Sequence, residues 1–323
     1  MLTPNIDIRI KNEAGKILFF DYVVEGEIIS TWQELTNAAK FTLPRRVSQL
    51  NDRLPDLIQV GNEVVIRLGH DGHFVEEFKG YITDIGSKIP VEIQCQDLMW
   101  KLKQTEVSES FRKTKLEAVL KKILPSGVSF EADNMDLGDL RLSKVSVAGV
   151  LEKLKEQYGI VSFVRNGKLV SGTPYNEAWR GNDNYKVHYH FQKNIIDNDL
   201  TFKNKKDVKV KIECISLQSN GTVQKFVYPN KEAEGELHTL HANNNLSQSE
   251  LKKFAEEHYN KFLYTGFKGS FLTFGSPYCD HGYTAELEDD YYPEKKGAYL
   301  IDKVAVRFGR NGYKRELTIG GKV

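Results

Sequence analysis

The chain has 323 residues, 28% of them charged and 11% aromatic, with a formal net charge of +1. That is enough chain for two or three domains with sizeable cores, and too balanced a charge for a protein that works by global attraction to nucleic acid or an anionic membrane. Its three cysteines, Cys95, Cys214 and Cys279, stand far apart with no CxxC pair, which points to small buried thiols in a reducing compartment rather than a disulfide framework.

The N-terminal "MLTPNIDIRIKNEAGK" has neither the basic n-region nor the apolar h-region of a signal peptide. No stretch approaches the roughly 18 apolar residues of a membrane span. The expectation is a protein made in the cytoplasm, with no signal peptide and no membrane partner. From residue 5 to about 103 the apolar residues alternate: Ile6, Ile8 and Ile10, then Ala39, Phe41 and Leu43, then Val64, Ile66 and Leu68. This is the signature of half-buried strands, and Pro44 stops the second run. Two more strands are predicted at 81–85 and 91–95, joined by "GSKIP". Short strands with Gly, Pro, Asn and Asp punctuation predict a small antiparallel barrel or sandwich.

The texture changes at "DLMWKLKQTEVSESFRKTKLEAVLKKILPSG", residues 97–127. Leu116, Val119, Leu120 and Ile123 fall at helical spacing, with Pro125 and Gly127 beyond them. A second helix carries Val147, Val150, Leu151 and Leu154 on one face, with Ser146 as its cap and Gly159 at its stop. "IVSFVRNGKLVSG" then reads as a hairpin turning at Asn166–Gly167. Past the polar connection "YNEAWRGNDNYK" strands return: Val208, Val210 and Ile212 alternate, and "TVQKFVYP" follows a turn at Asn220–Gly221. One helix interrupts at about 247–263, where Ser247 and Glu250 form a capping box and Leu251, Phe254, Ala255, His258 and Phe262 share a face. The predicted fold class is α+β, mainly antiparallel β: two similar small β-barrel domains, residues 1–104 and 186–323, separated by an α+β domain at 105–185.

The two β regions share a pattern. Gly61 is followed at +3 and +5 by Val64 and Ile66, and Gly282 by Ala285 and Leu287. Each run leads through a charged loop, "GHDGHFVEE" or "DDYYPEKK", to Gly80 or Gly297, and on to Ile82-x-x-Ile85 or Ile301-x-x-Val304. A final alternating strand closes both.

Chemistry is harder to find. His70, Asp71 and His73, then Cys279, Asp280 and His281, then His238 with His241, and His188 with His190 are the candidate metal groups, but none has a second half with tetrahedral spacing. The acid pairs Glu76/Glu77 and Asp289/Asp290 are adjacent and point to opposite sides of an extended chain, so they make no general acid/base couple. No GxSxG, P-loop, GxGxxG or HExxH occurs. No residue is nominated as catalytic, cofactor-binding or metal-ligating, no cofactor is expected, and the protein is read as a non-enzyme.

The stretches "LTNAAKFTLPR", "IQVGNEVVIRLG", "EEFKGYITDI", "VEIQCQDLMWKLK" and "SVAGVLEKLKEQYGIVSFVRNGKLV", with "GYTAELEDDYYPEKKGAYLIDKVAVRFGRNGYKRELTIGG" near the end, together resemble the baseplate hub proteins of contractile phage tails. These include the phage Mu hub, the late control protein D family and, more distantly, the N-terminal part of type VI secretion spike proteins. The resemblance covers most of the chain and implies a homotrimer. Three chains with two barrels each would present a quasi-sixfold face to the tail tube protein and a threefold face to a separate spike or needle protein. Other baseplate proteins would be further partners, and DNA would only pass through the channel. Two other readings stay open. One is a carbohydrate- or cell-surface-binding tail module using Trp32, Trp100, Trp179, Tyr291 and Tyr292; the other is a tail-associated peptidoglycan hydrolase.

Overall fold

The computed structural model describes residues 3–43, 57–174, 185–218, 222–242, 245–293 and 296–323. The first region forms β1 (Pro4–Lys11), β2 (Ile17–Phe20), β3 (Glu25–Thr31), β4 (Ala38–Leu43), β5 (Glu63–His70), β6 (His73–Ile85) and β7 (Val91–Gln96). Alternation decides which face is covered: Ile8 and Ile10 of β1 and Val64, Ile66 and Leu68 of β5 are fully buried. The "GHDGH" stretch, read above as part of a charged loop, is instead a tight hairpin. His70 pairs with His73 across Asp71 and Gly72, whose φ values of 51° and 84° are those of a primed turn. Pro44, the Asn220–Gly221 turn and Trp179 lie outside the described residues.

The middle of the chain carries α1 (Met99–Gln104), β8 (Glu106–Lys115), α2 (Leu116–Ile123), β9 (Phe130–Ala132), β10 (Asp136–Ser146), α3 (Val147–Tyr158), β11 (Val161–Arg165) and β12 (Lys168–Gly172). Sequence periodicity finds α2, α3 and the β11–β12 hairpin. Ser146 caps α3 by accepting from the Gly149 N–H, Gly159 ends it in the left-handed region, and Asn166 and Gly167 turn the hairpin with φ of 50° and 73°. Periodicity misses the β8–β10 ribbon, a two-stranded antiparallel pair in which buried positions are sparse. A separate core holds Leu116, Leu120, Val150, Leu151 and Leu154 together with Met99 and Leu102 of α1, so the packing of this unit begins at α1.

The last region contains β13 (Lys186–His190), β14 (Ile195–Lys203), β15 (Val210–Leu217), β16 (Val223–Tyr228), β17 (Glu236–His241), α4 (Gln248–Phe262), β18 (Gly266–Phe274), β19 (Thr284–Glu288), β20 (Gly297–Gly309) and β21 (Gly312–Lys322). The Ser247/Glu250 capping box of α4 is present, and this helix packs on the small β15–β17 sheet around Ile212, Cys214, Leu251 and Ala255.

The sequence repeat becomes a repeat of topology. In the first unit β1, β3, β4, β5, β6 and β7 lie side by side in the order β1-β5-β6-β7-β4-β3; in the second, β13, β14, β18, β19, β20 and β21 lie in the order β13-β19-β20-β21-β18-β14. Numbered within each unit, both read first, fourth, fifth, sixth, third, second. The match extends to single hydrogen bonds. Gly61 N–H donates to Ile82 O and Ile82 N–H to Asn62 O; Gly282 N–H donates to Ile301 O and Ile301 N–H to Tyr283 O. A register shift follows at once in both, between Ile82 and Asp84 and between Ile301 and Lys303. The equivalences Val64 with Ala285 and Ile82 with Ile301 therefore hold. The two glycines do not correspond: opposite Val64 stands Gly80, and opposite Ala285 stands Tyr299.

Among the described residues no closed barrel forms. Both units belong to one 13-stranded sheet, because the outer edge of β3 is taken by β20 of the other unit. The core is likewise shared, running from Ile8, Phe41 and Ile93 to Tyr189, Phe271 and Leu317. Among the described residues no helix is long and apolar enough to cross a membrane.

Candidate functional site at the joint of the two β units

β3 and β20 pair antiparallel from Thr31↔Lys303 to Glu25↔Gly309. The approach is close: a Cβ on Gly26 would lie 2.3 Å from the Phe308 ring, so glycine is required here for packing. An exposed-side ion pair accompanies it, Arg307 Nε to Glu27 Oε1 at 3.2 Å.

Beside the strand joint the units are tied by a buried charge pair. Glu77 is the extra residue of a β-bulge in β6, skipped between the pairs Ile66↔Phe78 and Arg67↔Glu76. The bulge turns its carboxylate inward, a usual consequence of such an insertion, while Glu76 stays exposed. Arg315 of β21, itself fully buried, meets Glu77 with both guanidinium nitrogens, Nη1 at 3.0 Å from Oε2 and Nη2 on Oε1. Its remaining donors reach Gly275 O at 2.6 Å, Cys279 O at 3.4 Å and the Tyr313 hydroxyl at 2.7 Å, and that hydroxyl donates to Glu77. Burial works against the Arg315 charge; the adjacent Glu77 carboxylate outweighs it, so the pKa is raised above its ordinary value. Sequence reading offered no signal for this pair, because a bulge position is invisible in an alternating pattern.

The middle unit docks on the same place. Arg165, at the end of β11, donates from Nη2 to His281 O and sits 3.8 Å from Asp280. Asp280 accepts from Ser30 Oγ at 2.6 Å. Burial alone raises its pKa, but His281, Arg165 and the Ser30 hydroxyl together hold the carboxyl well below the usual range. Ser30, His281 and Asp280 thus form a cluster with the residue types of a hydrolytic triad. Its geometry is different: Ser30 Oγ and Asp280 Oδ1 both approach the same ring nitrogen, Nδ1, at 2.7 and 3.1 Å, whereas a triad needs the two groups on opposite nitrogens. His281 is also fully buried. Nearby, Asp97 accepts from the Asn37 and Met99 N–H groups at 3.0 and 2.9 Å. Burial, only partly offset by these hydrogen bonds, pushes its pKa up to about 7. A cleft of about 520 Å³ lies between the three units, lined among others by Ser30, Glu77, Arg165, Asp280, Val304 and Arg315.

The remaining candidates are dispersed. His70 contacts Ser276 Oγ at 3.1 Å, and Asp71 accepts from Thr3 N–H. His188 pairs with Glu286 and His190 with Asp290, at 3.0 and 3.1 Å. His238 stacks on Phe262 with ring centroids 4.4 Å apart. Burial pushes the Cys279 thiol up to about 11, which leaves it protonated. Among the described residues no three His, Cys, Asp or Glu side chains gather as a metal site. Of the aromatic residues, Trp32 donates to Asp302 at 3.1 Å and Trp100 stacks on Tyr81; Tyr291 and Tyr292 are exposed.

No protein-family model matches the chain, and no curated protein does. Solved structures do match. A 43 kDa tail protein of prophage MuSo2 from Shewanella oneidensis superposes with a TM-score of 0.67 at 12% identity, covering 98% of each chain. A tail protein from Neisseria meningitidis MC58 gives 0.65 at 16% identity over 99% of this chain and 96% of that one. An Escherichia coli component of the type VI secretion system gives 0.58 at 10% identity over 97% of this chain and 76% of that one. At such identities the likeness speaks for the fold, and over 97% or more of its length the chain has the fold of these tail proteins, shared with a type VI secretion component.

Proposed function

We propose that this protein is the hub of a phage or phage-derived tail, a structural part that acts through its surfaces and catalyses nothing. Three copies form a ring around a channel. Their six β units present a quasi-sixfold face to the tail tube protein, and the opposite, threefold face seats a spike, with other baseplate proteins around it. The observation that carries this reading is the repeated strand order in one chain: duplicating a unit lets a threefold object imitate sixfold symmetry. The fold shared with a prophage tail protein and a second tail protein supports it. The layout of the joint supports it as well. Glu77 with Arg315, Asp280 with Ser30, and Arg165 with His281 O tie three units into one body, as a rigid adaptor requires, and the Ser30–His281–Asp280 cluster lacks triad geometry.

Native mass measurement and electron microscopy of the purified protein test the reading. A mass of three chains and rings with a central hole are expected; a monomer at every concentration, with no rings, overturns it.

A further inference from the structure

The joint between the two units inside one chain has a counterpart that the single chain leaves open. β3, the second strand of the first unit, is covered on its outer edge by β20. β14, the second strand of the second unit, pairs among the described residues with β18 alone. The burial records the difference. Ile28 on β3 is 2% exposed, whereas β14 is exposed over most of its length and Phe202 is 43% exposed. An uncovered row of strand donors and acceptors is a template for another strand.

The repeat specifies which strand that is. Lys303, Val304 and Ala305 of β20 lie opposite Thr31, Ser30 and Ile29 of β3. Their counterparts in the first unit, counted from the shared register shift, are Asp84, Ile85 and Gly86: Asp84 and Ile85 oppose Gln94 and Ile93 as Lys303 and Val304 oppose Thr318 and Leu317. On the other side, Ala39 lies between Cys95 and Ile28 as Gly269 lies between Ile319 and Leu200. Counting on from Ile28 and Leu200, the counterparts of Ile29, Ser30 and Thr31 are Thr201, Phe202 and Lys203.

We infer that in the ring proposed above, β14 of one copy pairs antiparallel with the end of β6 of the next copy, placing Lys203 opposite Asp84, Phe202 opposite Ile85 and Thr201 opposite Gly86. The inference rests on the trimer reading and adds the contact and its register. One charge relation, not used to obtain that register, agrees with it: Lys203 meets the oppositely charged Asp84. Asp84 is exposed and Lys203 half-buried in the single chain, so pairing brings accessible groups of opposite sign together. Used three times, head to tail, the contact closes a ring.

Cysteine cross-linking reads the register directly. Directly opposed residues have Cα atoms about 4.5–5.5 Å apart, within disulfide reach, and the three native cysteines are buried. The double variant Asp84→Cys/Lys203→Cys is expected to give, on oxidation, a non-reducing ladder that ends at three chains. In Asp84→Cys/Asp199→Cys the two positions are displaced by about 13 Å along the strand, and no ladder is expected. In parallel, Lys203→Glu weakens self-association about fivefold, and adding Asp84→Lys restores it. A protein that is trimeric by native mass but does not cross-link at 84/203, or links equally well at 84/199, overturns this contact and leaves the hub reading standing. A protein that stays monomeric by native mass and gives no ladder overturns both.

Discussion

The two β units run their strands in one order and differ in what lies against the second strand. In the first unit that strand is enclosed and carries Gly26 beneath the Phe308 ring; in the second the corresponding strand is, among the described residues, open and carries Asn198 at the matching place. The sixth strands differ in a related way. The position of Arg315 in β21, two before Leu317, is held in β7 by Val91, two before Ile93. Topology was kept while side chains at the contacts diverged, as expected where like folds occupy unlike neighbourhoods. The first and fourth strands diverge further, pairing antiparallel in one unit and parallel in the other.

The comparison can be broken hardest at the buried pair. Arg315→Met leaves the Glu77 carboxylate without its cationic partner in a site where its side chain is 3% exposed, and equilibrium unfolding should show a loss of about 3–5 kcal/mol. Replacing both, as Glu77→Leu with Arg315→Met, should recover most of that loss. Gly26→Ala drives a methyl into the Phe308 ring and should cost about 1–3 kcal/mol by the same measurement. Asp97, two residues past Cys95, stands where the second unit has Gly321, two past Ile319, and it predicts a pH dependence. Its folded pKa of about 7 lies above the unfolded value, so the folded state holds the proton more tightly. That contribution is fully present below about pH 4 and is lost as pH rises through about 7. The stability of wild type minus that of Asp97→Asn should therefore fall across this window, with a slope no steeper than about 1.4 kcal/mol per pH unit. The smallest effect sharpens the contrast: Asn198→Ala, the counterpart of Gly26→Ala, should leave monomer stability within about 0.5 kcal/mol of wild type.

Much of the architecture was legible because it is local. Alternating Ile8 and Ile10, the Ser146 and Ser247 caps, Gly159 and the Asn166–Gly167 turn each act over a few residues, and all appear in the structure. The equivalence of Gly61 with Gly282 was legible too, since both serve one hydrogen-bond arrangement with positive φ of 92° and 81°. The "GHDGH" hairpin reads as a charged loop because His73–Glu76, the start of its second strand, are exposed on both faces and carry no alternation. β14 was not found at all. An open edge keeps polar residues on both faces, "IIDNDLTFK", so no alternation marks it.

The sequence alone determined the helices α2, α3 and α4, many of the strands and the duplicated β pattern, since propensity, capping and periodicity are properties of neighbouring residues. Only the tertiary structure decided that the duplicates share one sheet and one core, that Glu77 turns inward to Arg315, and that among the described residues β3 is covered while β14 is open. These contacts join residues more than 150 positions apart, as in Glu77 with Arg315 and Ile28 with Val306. No local pattern encodes them, because each depends on which of two equivalent edges the folding chain brings within reach of its own later strands.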